Sequence, residues 1–382
     1  MFQHKIDKLR KKLIYNNIDL ALITDDDSIY YYTGYYDYLH MDFGRPTILL
    51  VPKDSESILI TPLIDIKLIE DDAVIDKVLP WNDGVGDEWK EHLPSYLSKN
   101  KNIALEYNLI PSLVRNYIYT LIDEKTIGDI TPIIAEMRMI KSAQELNIAR
   151  HAGQVANAMM QAAKNTIANG VPEYEIALST SSAGTKMASE ILNKYYPNSR
   201  MSPNIHFLQI MASGSHMPLT HHRASNKILK HGDPVFICFC GMTNFHKFKL
   251  GFDRTFWLGE IKDQSQINTY NVAVNSQAAA LKVLGPGISA SSVHAAYADS
   301  IQSAGYPYPT FRCGRGTGFS FLEHPQLVVG EETVLQPGMV LAVDGSANSD
   351  SFRAQVGDSF IITNSGYEQI TSFSKSLEDI VL

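Results

Sequence analysis

The stretch TFRCGRGTGFSFLEHP, residues 310–325, spaces its glycines at 314, 316 and 318 in the manner of a catalytic loop, with Arg315 between the first two. Glycines at that spacing serve tight backbone geometry, because without a Cβ they tolerate close approaches. They do not make a phosphate loop, since no Lys-Ser/Thr pair follows them. Downstream, GMVLAVDGS and GDSFIITNSG read as strands with turns. Upstream lie two helices, 264–284 and 291–304, divided by GPG, which stops the first. Before them come two strands around PVFICFC and FDRTFWLGE, a strand with a polar tail around IHFLQIMASG, and a helix near 172–192. SAQE, Ser142 to Glu145, has capping-box spacing and opens a long amphipathic helix through Ile148, Ala152, Val155, Ala156, Met159 and Ala163. Helices and antiparallel strands mix here without strict βαβ repetition, so residues 138–382 are expected to form an α+β domain.

Residues 1–137 read differently. A charged helix to about Asn16 is followed by LALIT, TILLVPK, SILITPL and NIALEY, an alternation of helix-like and strand-like segments that marks an α/β domain. The chain has 382 residues and 45% hydrophobic content, enough for a sizeable core divided between two domains. No internal repeat or low-complexity tract interrupts it.

The formal charge of −8 argues against a nucleic-acid surface. KLRKK, Lys8 to Lys12, is the solvated face of the first helix. The first residues carry charges where a signal peptide has an apolar run, and no uncharged apolar stretch of about 18 residues occurs, so a cytoplasmic location away from membranes is expected. Cys238, Cys240 and Cys313 are an odd, sparse set that suits a reducing compartment, and CFC is not a zinc spacing. Cys240 and Cys313 are expected to be buried hydrophobes. The tyrosines at 30–32, 35, 36 and 38 are expected in the core and at a dimer contact.

Ionisable residues inside apolar contexts are the candidates for chemistry: His221 and His222 in PLTHHRASNK, Asp253 and Arg254 in GFDRTFW, Asp344 in LAVDGS, and Asp358 in VGDSF. Charges in strands must be paired or functional, because an isolated buried carboxylate is costly. His221 is the candidate general acid and base, as imidazole exchanges a proton near neutral pH. On a strand its neighbour His222 would face the other way.

The landmarks RMIKSAQELNIARHA, THHRASNK, HGDPVFICF, FDRTFWLGE, CGRGTGFSFLEHP, LQPGMVLAVDGS and VGDSFIITNSG resemble, in order and spacing, the creatinase, aminopeptidase P and methionine aminopeptidase superfamily. The N-terminal IYYYTGYYDYLHMDFGRPTILLVP resembles the creatinase N-terminal domain. The resemblance implies an α/β creatinase-type N-terminal domain followed by an α+β pita-bread domain. It also implies a homodimer in which Phe43 and Arg45 reach the partner's active site, the arginine holding a substrate carboxylate.

Metallopeptidases of this superfamily hold two metal ions with two aspartates, a histidine and two glutamates. By count those positions fall here on Cys238, Gly251, Arg315, Asp344 and Gly357, so one carboxylate survives. Two hard cations about 3.5–4 Å apart need several oxygen donors, and Arg315 adds positive charge at the same spot. No metal or cofactor is expected, and Arg315 is expected to take the metal's space and bind an anionic substrate group.

His221 corresponds to the acid/base histidine of creatinase, itself metal-free, and Asp253 and Asp344 to its guanidinium-binding glutamates. The resemblance therefore implies hydrolysis of a C–N bond in a small zwitterionic amidine or guanidino acid, with Asp358 also in the substrate site. Ectoine hydrolases are a close comparison. Asp253 is either a nucleophile or an electrostatic anchor. The creatinase site has a second carboxylate-binding arginine where this chain has Gln326, so the substrate is expected to differ from creatine. The alternatives are a lyase or Xaa-Pro-type peptidase with one metal on Cys238, His246, Asp253 or Asp344, and a non-catalytic peptidase-like binding protein.

Overall fold

The computed structural model describes residues 2–36, 44–205, 210–240 and 243–382 of the chain. It divides into two compact units, Met1–Met137 and Arg138–Leu382.

The first unit is α/β. An N-terminal helix, α1 (Phe2–Tyr15), turns Ile6, Leu9 and Leu13 inward together with Lys5, and Lys8, Arg10, Lys11 and Lys12 fall between the apolar positions. Six strands form one sheet: β1 (Leu20–Ile23), β2 (Ile48–Pro52), β3 (Ile58–Pro62), β4 (Lys77–Trp81), β5 (Ile103–Leu105) and β6 (Gly128–Asp129), in the order β4-β3-β2-β1-β5-β6. The pairs β1·β2 and β2·β3 are antiparallel, while β3·β4, β1·β5 and β5·β6 are parallel. Every residue of β1, β2 and β3 is buried, as continuous apolar runs require when both faces of a sheet are covered. Tyr30, Tyr31, Tyr32 and Tyr35 are buried, and Tyr38 lies outside the described residues.

The second unit is α+β. Four long helices, α2 (Ala143–Thr166), α3 (Glu173–Tyr195), α4 (Gln264–Val283) and α5 (Ala290–Ser303), accompany a sheet of eight strands. These are β7 (Ile210–Ser213), β8 (Pro234–Cys238), β9 (Asp253–Trp257), β10 (Gly314–Gly316), β11 (Glu323–Gln326), β12 (Val340–Asn348), β13 (Arg353–Ile362) and β14 (Tyr367–Gln369). Their order is β11-β10-β12-β13-β9-β8-β7, with β14 on β13. Every pairing in it is antiparallel.

Ser142 closes the expected capping box: its hydroxyl accepts from the Glu145 backbone, and the Glu145 carboxylate accepts from the Ser142 backbone. One residue earlier, Lys141 forms a buried ion pair with Glu323 at 2.9 Å. Glu323 also accepts the backbone N–H groups of Phe319 and Ser320, which ties down the glycine-bearing loop between β10 and β11. The glycines of β10, which leads into that loop, are required by close approach. A Cβ on Gly314 would lie 2.1 Å from the Ala342 carbonyl, and one on Gly316 2.3 Å from that of His324.

Candidate active site

Strand register builds the site. Asp344 on β12 stands opposite Gly357 on β13, Gly357 opposite Asp253 on β9, and Asp253 opposite Cys238 on β8. Directly opposed residues share a face of the sheet, so three reactive side chains emerge together around one bare position. A Cβ on Gly357 would lie 2.3 Å from Asp344 Oδ1 and 2.6 Å from Asp253 Oδ2. The two carboxylates therefore converge over the glycine backbone. They line a cavity of about 440 Å³ together with His221, Cys238, Cys240, Arg312, Arg315, Gln326, Arg353 and Gln355.

Asp253 is held by a relay of hydrogen bonds. Its Oδ2 accepts from Gln355 Nε2 at 2.6 Å, Gln355 Oε1 accepts from Arg353 Nη2, and Arg353 Nη1 donates to the Thr220 carbonyl at 3.0 Å. The remaining oxygen, Oδ1, is buried with no hydrogen-bond partner, and so is Oδ1 of Asp344. An unsatisfied buried carboxylate oxygen is costly, so the pair calls for a donor: a cationic N–H group of a ligand, or a proton kept on one carboxyl. Burial, reinforced by the neighbouring Asp253 charge, pushes Asp344 well above the usual carboxylate range.

Arg315 also lines the cavity and is only 6% exposed. Its Nη2 donates to Cys240 Sγ at 2.9 Å and its Nε to the Phe321 carbonyl at 2.9 Å. The hydrogen bond from Cys238 and the guanidinium of Arg315 draw Cys240 down to about 6, while the same hydrogen bond and burial push Cys238 up. Cys240 is half-buried, lines the cavity and accepts from a guanidinium, and is not the buried hydrophobe expected from its apolar neighbours. Cys313 is a buried hydrophobe, 1% exposed, and burial pushes its thiol up.

His221 lines the cavity from its exposed side. It stands on a turn, closed by bonds from Leu219 N to the His216 carbonyl and from His222 N to the Leu219 carbonyl, and not on a strand. His222 points elsewhere, with Nδ1 2.8 Å from the Met211 carbonyl.

Asp358 does not line the cavity. One residue on from Gly357, it faces the opposite side of β13, fully buried, with Oδ1 accepting from Arg254 at 2.7 Å and Oδ2 paired with Lys375 at 2.7 Å. The period-two alternation of a strand makes it a core ion pair instead of a substrate ligand. Arg45 belongs to the first unit, where it pairs with Asp83, and Phe43 lies outside the described residues. Sequence reasoning missed Arg312, Arg353 and Gln355. Gln355 and Arg353 alternate with Gly357 on β13 and were open to detection from that period.

The residues present do not fit a dinuclear metal centre. A Cβ on Gly251 would lie 2.6 Å from the Ala342 Cβ, so packing leaves no room for a ligand there. Position 357 is hemmed in by the two carboxylates, and the histidine position holds a guanidinium bonded to sulfur. His246 does not line the cavity and packs on Tyr196, with ring centroids 4.5 Å apart. Among the described residues, the group of His, Cys, Asp and Glu whose ligand atoms converge as a metal would require is Glu173, His216 and His222. Both oxygens of Glu173 there already accept from Ser213 and Ser225.

Comparison with known proteins gives two matches: Metallopeptidase family M24 over residues 147–364, and the Creatinase/Prolidase N-terminal domain over residues 5–140. The agropine synthesis cyclase of Rhizobium rhizogenes is 24% identical over 98% of this chain and 96% of its own length. The Xaa-Pro dipeptidase of Pyrococcus furiosus is 24% identical over 98% of this chain and 99% of its own. Among solved structures, the Xaa-Pro dipeptidase from Bacillus anthracis superposes with a TM-score of 0.85 at 22% identity, covering 100% of both chains. The prolidase from Pyrococcus horikoshii gives 0.83 at 23%, covering 98% of this chain and 99% of its own.

Proposed function

The chain belongs to metallopeptidase family M24, with a creatinase/prolidase N-terminal domain and a pita-bread second domain, and we propose that it hydrolyses a C–N bond of a small zwitterionic substrate without the family's dinuclear metal centre. The observation that carries this reading is the Asp253–Asp344 pair, with two buried oxygens lacking a donor. Such a pair suits a cationic N–H group, an amidinium or guanidinium first, whose central carbon is already electrophilic. The arginines at 312, 315 and 353 line the same cavity and suit the substrate's anionic end. His221 takes a proton from water as it attacks and returns it to the departing nitrogen. The developing charge is met by groups already in place, which is how a preorganised site lowers a barrier.

A second reading is an Xaa-Pro-type dipeptidase. The names of the relatives favour it over an amidine substrate, and a dipeptide is also a small zwitterion. It requires a metal held by a ligand set different from the family's. The other relative, named as a cyclase, supports chemistry outside peptide hydrolysis. Mass-spectrometric turnover against creatine, ectoine, other amidino and guanidino acids, and Xaa-Pro dipeptides separates the two. Amidino or guanidino products carry the first reading, cleavage of dipeptides alone carries the second, and silence on the whole panel overturns both.

A further inference from the structure

We infer that Cys240 is the covalent nucleophile of the cavity, with Arg315 as its fixed counter-ion. This rests on the hydrolase reading for its substrate but on separate observations for the group itself. Cys240 sits two residues beyond Cys238 at the end of β8 and opens on the cavity that Asp253 and Asp344 line. Its sulfur accepts from Arg315 Nη2 at 2.9 Å, and the other hydrogen bond of that guanidinium, from Nε to the Phe321 carbonyl, fixes its plane. A thiol beside a buried cation loses its proton readily, and the thiolate is the attacking form. The unpartnered oxygens of Asp253 and Asp344 face the same space. A cationic or N–H-bearing carbon centre held by them lies in the same cavity as the sulfur.

The step balances without an outside oxidant. The thiolate forms a C–S bond to the trigonal carbon. The C–N bond then breaks, and the leaving nitrogen takes a proton from His221, which lines the same cavity. Water next attacks the same carbon, returns one proton to His221, and the C–S bond breaks to restore the thiolate. The sum is addition of one water across one C–N bond.

The test is iodoacetamide labelling of the native full-length protein, read at Cys238, Cys240 and Cys313 by peptide mass spectrometry, with Cys240→Ser and Arg315→Met alongside. Cys240 is expected to label first, and Arg315→Met to slow it by about tenfold at neutral pH, because the thiolate fraction falls. Cys240→Ser is expected to keep the wild-type melting temperature and lose at least about 100-fold of whatever turnover the substrate panel reveals. A Cys240 that labels no faster than Cys313 in the wild type overturns the inference, and so does a Cys240→Ser protein with full turnover. Silence of the wild type on the panel counts against the hydrolase reading instead, and in that sample a Cys240 that labels no faster than Cys313 still overturns the inference.

Discussion

At position 357 the absence of a side chain shapes the site. Gly357 lets Asp253 and Asp344 approach over bare backbone. Asp344 is pushed up by burial and by its neighbour. A carboxyl whose folded pKa is raised weakens the fold as pH climbs past the unfolded value of about 3.9, because the unfolded chain ionises more readily. Asp344→Asn is therefore expected to melt about 2–4 °C above wild type at pH 7, a difference that vanishes near pH 4, while activity is lost. Calorimetry at the two pH values checks this, and a lower melting temperature at pH 7 counts against a protonated Asp344. His221→Ala is expected to cut turnover by about 100-fold or more with an unchanged circular dichroism spectrum. An active variant removes the acid/base role.

At the scale of strands, one residue separates a cavity group from a core group. Asp358 was visible in the sequence as a carboxylate in an apolar strand, but its face depends on register, and the register sends it away from the cavity onto Arg254 and Lys375. Asp358→Ala leaves Arg254 buried without its partner and is expected to cost about 3–5 kcal/mol, measured by denaturant midpoint. An unchanged midpoint with a raised KM would return Asp358 to substrate binding. The capping box at Ser142, the helix-stopping GPG and the alternating strands were readable because each is a local pattern. The Cys240–Arg315 contact was not, since Cys240 follows β8 and Arg315 lies on β10, 75 residues on, and only the folded sheet brings them together. His221 was found as a residue but placed on a strand, because PLTHH carries no glycine to announce its turn.

At the scale of the molecule, the α/β and α+β halves followed from periodicity alone, and the ordered landmarks supplied the family. The site inside the second unit accounts for the catalytic groups, whereas the contribution of the first unit remains a proposal that rests on Arg45. Arg45→Ala is expected to raise KM several-fold with little change in kcat, and light scattering is expected to give a dimer for both proteins. A monomeric wild type, or unchanged kinetics in the variant, removes the cross-subunit role. No helix among the described residues is long and apolar enough to cross a membrane.

Hydrolysis without a dinuclear centre is tested most directly by following turnover of one accepted substrate while metal content is measured in the same samples, before and after chelator treatment and after adding divalent ions. The account predicts the same rate in all three states and far less than one metal ion per chain in the active, chelated protein. Activity that disappears with the chelator and returns with a divalent ion in proportion to its binding would contradict it.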